Sequence, residues 1–211
     1  MPASFWGHLK MKTGFGRVIR IGAVLLGLLA TGLMPAPLLA QQGGPRTPPL
    51  LMTSPGWEDG GVLPDKYTRA AGPAAVSPEL QWSQVPAGTR SFVLLVHDPE
   101  PVVNKSSKMD ITHWLVWNIP ASATGLPEGV KAGTSPDGSR QVSVRTNGYT
   151  APGAAAGPYH HYTFQLYALD IMLDVPQGTP QQVIATRNAV FDAMDGHVLG
   201  KAEIVGRFHQ H

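Results

Sequence analysis

The chain predicts a mainly β protein, a β-sandwich with a few peripheral helices. Three observations lead there. Of its 211 residues, 24 are Gly and 20 are Pro. That is about a fifth of the chain against a typical ~12%, and both residues interrupt helices. Runs of β-branched and aromatic residues recur and stop at Pro or Gly. Only one segment, late in the chain, has helical periodicity. Hydrophobic residues make up 43%, too many for a disordered chain, and the length suits one domain with a tail.

Residues 41–49 are rich in Gly, Pro and Gln and read as a flexible leader. Leu50 to Thr53 is a short strand. Trp57 to Pro78 is punctuated by Gly and Pro and reads as loop. Ser91 to His97 (SFVLLVH) is a continuous apolar run whose length suits a buried strand, and Pro99 and Pro101 stop it. Thr112 to Ile119 (THWLVWNI) is a second run, closed by Pro120, and Gln141 to Arg145 alternates as a third. The Gly/Ala/Pro stretch from Tyr149 to Pro158 must be a loop. His161 to Leu169 (HYTFQLYAL) has Tyr, Thr and Phe at strand-friendly spacing. Thr179-Pro180 resembles a helix start. Val183, Ile184, Val190, Phe191 and Met194 then form one stripe, which Gly196 ends. Val198 to Phe208 is the last strand, and residues 209–211 form a tail.

The amino terminus reads as an address. Residues 1–40 hold no acid; Lys10, Lys12, Arg17 and Arg20 precede an apolar run from Ile21 to Leu33, then small residues up to Ala40. Basic, apolar, then small is the order of a secretory signal, and the run falls short of the ~20 residues a helix needs to span a bilayer. The expectation is cleavage near Ala40 and a place in the periplasm or outside the cell, with membrane contact only through an uncleaved signal. Without residues 1–40 the formal charge falls from +2 to −2. Nucleic-acid binding then loses its electrostatic motive. The absence of Cys excludes disulfides, thiolate metal sites and cysteine nucleophiles.

Three polar residues stand where strands meet loops: Asp98, His113 and His160. Beside a small-residue loop they can line one pocket, in which imidazoles donate to an anion and Asp98 orients an imidazole. His97, inside an apolar run, reads as a core or rim histidine. His160 and His161 face opposite sides of a strand and cannot easily share a metal. There is no G-x-S-x-G elbow, P-loop or H-E-x-x-H, so neither an enzyme nor a cofactor is expected.

At these residues the chain resembles the phosphatidylethanolamine-binding protein family, in its bacterial Raf-kinase-inhibitor-like branch. Ser77–Trp82 (SPELQW), Val85–Gly88 (VPAG), Asp98–Pro101 (DPEP), His113–Asn118 (HWLVWN), Leu126–Gly129 (LPEG), Gly157–Tyr162 (GPYHHY) and Tyr167–Asp170 (YALD) follow the family's order. The likeness covers residues 50–208. It implies an antiparallel β-sandwich, a large central sheet on a smaller one, with peripheral helices. It also implies a small cavity for phosphate, phosphoethanolamine or a carboxylate, lined by Asp98, Glu100, His113, Gly157, His160 and Tyr162. Glu100 replaces the usual second Asp, Ala154 and Ala155 replace a Pro pair, Ile111 replaces an aromatic residue and His161 replaces Arg. The cavity is expected to persist with an altered ligand preference.

The function expected is binding of a small anionic ligand outside the cytosol. The alternative is an interaction or inhibitor protein acting on an exported protein partner, and after it a hydrolase in which Asp and His activate water. If both histidines donate to the anion, affinity rises as pH falls through roughly 6–7, where imidazole gains its proton.

Overall fold

The computed structural model describes residues 48–101 and 110–211. The signal read in residues 1–40, and the leader up to residue 47, lie outside the described residues. Nine strands form two sheets: β1 (Leu51–Thr53), β2 (Gly61–Val62), β3 (Leu80–Ser83), β4 (Ser91–Asp98), β5 (Ile111–Pro120), β6 (Gly125–Leu126), β7 (Arg140–Val142), β8 (His160–Leu169) and β9 (Val198–Phe208). One helix, α1 (Val183–Met194), lies between β8 and β9. The large sheet has the order β2-β9-β8-β4-β5-β7 and the small one β1-β3-β6. All pairings are antiparallel except β2 with β9. Mainly β, a six-stranded sheet with a smaller one and few helices, is the architecture that the sequence predicts.

The unbroken apolar run of β4 has a physical reason. Phe92, Leu94 and Val96 enter one core with Met52, Trp82 and Trp114. Val93 and Leu95 enter a second core with Leu115, Trp117, Val190 and Met194. Both faces of the strand are covered, so neither parity has to be polar. Each such side chain contributes roughly 1.5–3 kcal/mol by leaving water.

β5 is two residues out of step with β4. The pairing moves from Val96↔Trp114 to His97↔Thr112, and from Phe92↔Ile119 to Leu94↔Val116. Each step inserts one extra residue in β5, as a β-bulge does. Asn118 sits at the second step with φ +60. Its side chain binds Leu173 twice, donating to the carbonyl at 2.9 Å and accepting from the amide at 2.7 Å.

Several elements differ from the expectation. The segment read as loop from Trp57 to Pro78 contains β2 and short 3-10 turns at Asp65–Tyr67 and Arg69–Ala74. In the small sheet β6 has too few residues to show a period, and β3 (LQWS), which alternates buried and exposed, is a strand that the sequence reading did not assign. The Gln141–Arg145 strand is confined to Arg140–Val142. On α1, Ile184 is exposed whereas Thr186 and Arg187 are buried beside Val190 and Met194. Gly196, at φ +77, ends the helix as the sequence implies.

Candidate functional site: an imidazole cavity at the end of the large sheet

In the order β8-β4-β5 neighbours run antiparallel, so the start of β8, the end of β4 and the start of β5 meet at one end. That places His160, Asp98 and His113 together although they lie far apart in the chain. They line a cavity of ≈ 260 Å³ with Tyr162, Ile111 and loop residues between Thr150 and Ala155, Pro152 excepted. Tyr162 stands between the imidazoles. Its ring is edge-on to His113, with centroids 5.1 Å apart, and stacks near His160 at 6.4 Å.

The bulge at His113 is what aims it. Trp114 and Val116 face the core shared with Tyr162, and Leu115 and Trp117 face the helix. Strict alternation would turn His113 toward the helix. The extra residue instead puts His113 and Trp114 on the same face, and His113 reaches the cavity.

Two imidazoles therefore face the cavity, each committed at its Nδ1. His113 Nδ1–H donates to the Thr150 carbonyl at 2.8 Å. A carbonyl can only accept, so the proton of the neutral ring is on Nδ1 and Nε2 is an acceptor. Burial drives the His113 pKa down to about 4, against the pull of the Thr150 bond; the Arg145 charge adds to the fall. His113 is thus neutral at pH 7 with Nε2 left as an acceptor, whereas the sequence reading has it donating to an anion.

His160 Nδ1–H donates to Asp98 Oδ2 at 2.7 Å, and Asp98 Oδ1 accepts from the Glu100 amide at 3.1 Å. Asp98 is 2% exposed. Burial pushes its carboxyl above the ordinary range, and the His160 bond only partly offsets this. Asp98 is thus a buried acid joined to one imidazole, with its carboxyl held high.

Glu100 lies outside the cavity lining. It turns to His161, accepting from its amide at 2.8 Å and from its Nδ1–H at 2.6 Å. Burial raises its pKa, but these bonds outweigh it and hold the carboxyl low. Gly157 also lies outside the lining; its carbonyl accepts from His209 Nδ1–H at 2.6 Å, so the tail packs on this loop. The acid and histidine atoms of Asp98, Glu100 and His160 converge within 4.8 Å, a spacing that could hold a cation if the Asp98–His160 hydrogen bond gave way.

The loop before β8 is pinned from below. Tyr162 Oη accepts from the amides of Gly153 at 3.2 Å and Ala154 at 3.0 Å. Burial pushes the Tyr162 pKa up to about 12, so it stays a hydroxyl. These two amides, which an anion could have used, are spoken for. Arg69 and Arg145 complete the rim; no motif marked them in the sequence.

The family model for phosphatidylethanolamine-binding protein matches residues 53–209. A UPF0098 protein of Methanothermobacter thermautotrophicus is 40% identical over 157 residues, 73% of this chain and 95% of that one. The UPF0098 protein YbhB of Escherichia coli is 36% identical over 138 residues, 63% of this chain and 81% of its own. The crystal structure of a putative phosphatidylethanolamine-binding homologue from Chlamydia trachomatis superposes with a TM-score of 0.63 at 29% identity, covering 77% of this chain and 99% of that one. Escherichia coli YbcL, described as a member of the mammalian family, gives 0.54 at 27% identity with the same coverage. Fold, motif order and sequence agree, and the chain belongs to the phosphatidylethanolamine-binding protein family.

Proposed function

We propose that the protein is an exported, non-catalytic receptor for a small oxyanion that carries a hydrogen, above all a phosphomonoester such as phosphoethanolamine, or a small carboxylic acid. One observation carries the reading: His113 is held as an acceptor by Thr150, and across the cavity His160 is tied through Nδ1 to the buried Asp98, so that its Nε2 becomes a donor when the pair holds two protons. An acceptor facing a donor matches an oxyanion edge with one O–H and one bare oxygen. A phosphate monoester monoanion has both. A phosphodiester at neutral pH has no hydrogen to give. Export is supported by the basic, apolar and small-residue order of residues 1–40; among the described residues no helix is long and apolar enough to cross a membrane.

The test is calorimetric titration of the purified chain and its His160→Ala variant with phosphoethanolamine, acetate and the diester glycerophosphoethanolamine. The expected order is monoester above diester on the wild type, with the variant at least about tenfold weaker for the monoester. Equal binding by both proteins would remove the pocket assignment. Monoester affinity should fall as pH rises above about 6, where the ligand loses its second proton. His113 contributes no step above about pH 4.

A further inference from the structure

Arg69 and Arg145 stand out against the rest of the charged surface. Both are exposed. All 14 acidic residues of the chain lie within the described segments, and none forms an ion pair with either arginine. Among the described residues neither guanidinium lies over an aromatic ring; the cations that do are Lys66, Arg187, Lys201 and Arg207. Two unneutralised cations thus stand on one rim.

They also sit between two hollows. Both line the imidazole cavity, and both line an adjoining groove of ≈ 310 Å³ walled by Gly72, Thr146 and Tyr149. No Asp or Glu lines that groove. Arg69 is laid over the loop by a specific device: a Cβ on Gly153 would come within 2.0 Å of Arg69 Cδ. The missing side chain at Gly153 is the space that the Arg69 stem occupies. Its own amide donates to the Pro152 carbonyl at 2.8 Å, anchoring the backbone beside the loop.

The geometry points to a second anion subsite: a ligand with two acidic groups, its phosphoryl group in the imidazole cavity and a carboxylate held by Arg69 and Arg145 at the boundary with the outer groove. This rests on the phosphomonoester reading above. A guanidinium presents a planar fork that fits a carboxylate with two parallel hydrogen bonds. Taken alone, the inner cavity lies just below the ~300 Å³ at which small-molecule sites begin; joined to the outer groove it lies within that range. The ligand class is a phosphorylated hydroxy or amino acid. O-phosphoserine and phosphoethanolamine differ by one carboxylate and are the probe pair.

The experiment measures the affinity ratio of O-phosphoserine to phosphoethanolamine on the full chain and on an Arg69→Gln, Arg145→Gln double variant, with thermal unfolding showing both folded. The expected result is a wild-type preference of about tenfold or more for O-phosphoserine, falling to within about twofold of unity in the variant. A wild-type ratio near one, or a ratio untouched by the substitutions, overturns the subsite while leaving the inner pocket standing. Failure of both ligands to bind the wild type overturns the phosphomonoester reading and the subsite with it. Vesicles of phosphatidylserine in phosphatidylcholine separate the sources of the same chemistry: the soluble ligand should bind and the vesicle should not. Vesicle binding without soluble binding would point to a phosphodiester and overturn the proposal.

Discussion

The two faces of the large sheet, at the same end, each carry a carboxylate joined to an imidazole. On the cavity face it is Asp98 with His160, 2.7 Å apart. On the helix face it is Asp110 with His97, 2.5 Å apart. His97 and Asp98 are consecutive residues of β4 pointing opposite ways. Burial pushes both carboxyls up. At Asp110 the hydrogen bonds from His97 and Arg187 outweigh it, and the carboxyl is held low. At Asp98 one imidazole and one backbone amide are not enough, the neighbouring Glu100 carboxyl adds to the rise, and the carboxyl stays high. Arg187 of α1, which also reaches Thr112 Oγ1 at 3.3 Å, is the group that differs. With a guanidinium, a buried acid becomes a fixed ion and serves as a clamp between helix and sheet. Without one, its carboxyl is pushed high beside an open cavity. The sites thus differ in the charged group set beside the acid: a guanidinium at Asp110, a second carboxyl at Asp98.

The largest effect should come from removing that cation. Arg187→Met leaves Asp110 buried with only His97, and breaking a buried pair costs about 3–5 kcal/mol. Urea unfolding would read it, and phosphoethanolamine affinity per folded molecule should hold. A loss under about 1 kcal/mol would mean that Arg187 is no clamp.

Next comes acid sensitivity from His113. Folded, its ring resists the proton until about pH 4; unfolded, it accepts one near ~6.5. Its contribution is complete above ~6.5 and is lost as pH falls toward 4, about 3 kcal/mol across that window. Unfolding curves of wild type and His113→Asn from pH 7 to 4 should converge as the pH drops. Parallel curves would show that His113 titrates normally in the fold.

Tyr162→Phe is a smaller change. It strips the acceptor from the amides of Gly153 and Ala154, a loss of about 1–3 kcal/mol. Amide exchange at those two positions should quicken while that of β9 does not. Smallest in stability, within about 1 kcal/mol, is Gly153→Ala. The new methyl group meets the Arg69 stem, and the flexible arginine moves off the rim. The preference for O-phosphoserine should drop with little change in unfolding midpoint; an unchanged preference would separate Arg69 from the subsite.

Much of this was legible in the chain. Asp98, His113, His160 and Tyr162 stand in the ordered motifs, and all four line one cavity. Arg187 was readable in principle: it stands four residues after Val183 and three before Val190, on the stripe itself, and a charge there asks for a partner. Asp110 gave no local signal, because its partners come from β4 and α1. Arg69 and Arg145 gave none either, because their meaning lies in having no acid nearby. Glu100 and Gly157 sit in the motifs but outside the lining, since a motif records chain order and not the direction of a side chain.

By itself the sequence determined where strands could form and that the central ones would be covered on both sides, because apolar side chains at successive positions of β4 leave no face for water. It also determined the single helix and its stop at Gly196. Tertiary structure alone decided which way His113 points, since one residue of register reverses a strand's faces and register is set by pairing with β4. It decided, too, which buried carboxyl is held low and which is pushed high, because a charge in a low-dielectric interior is governed by the nearest charges, wherever in the chain they reside.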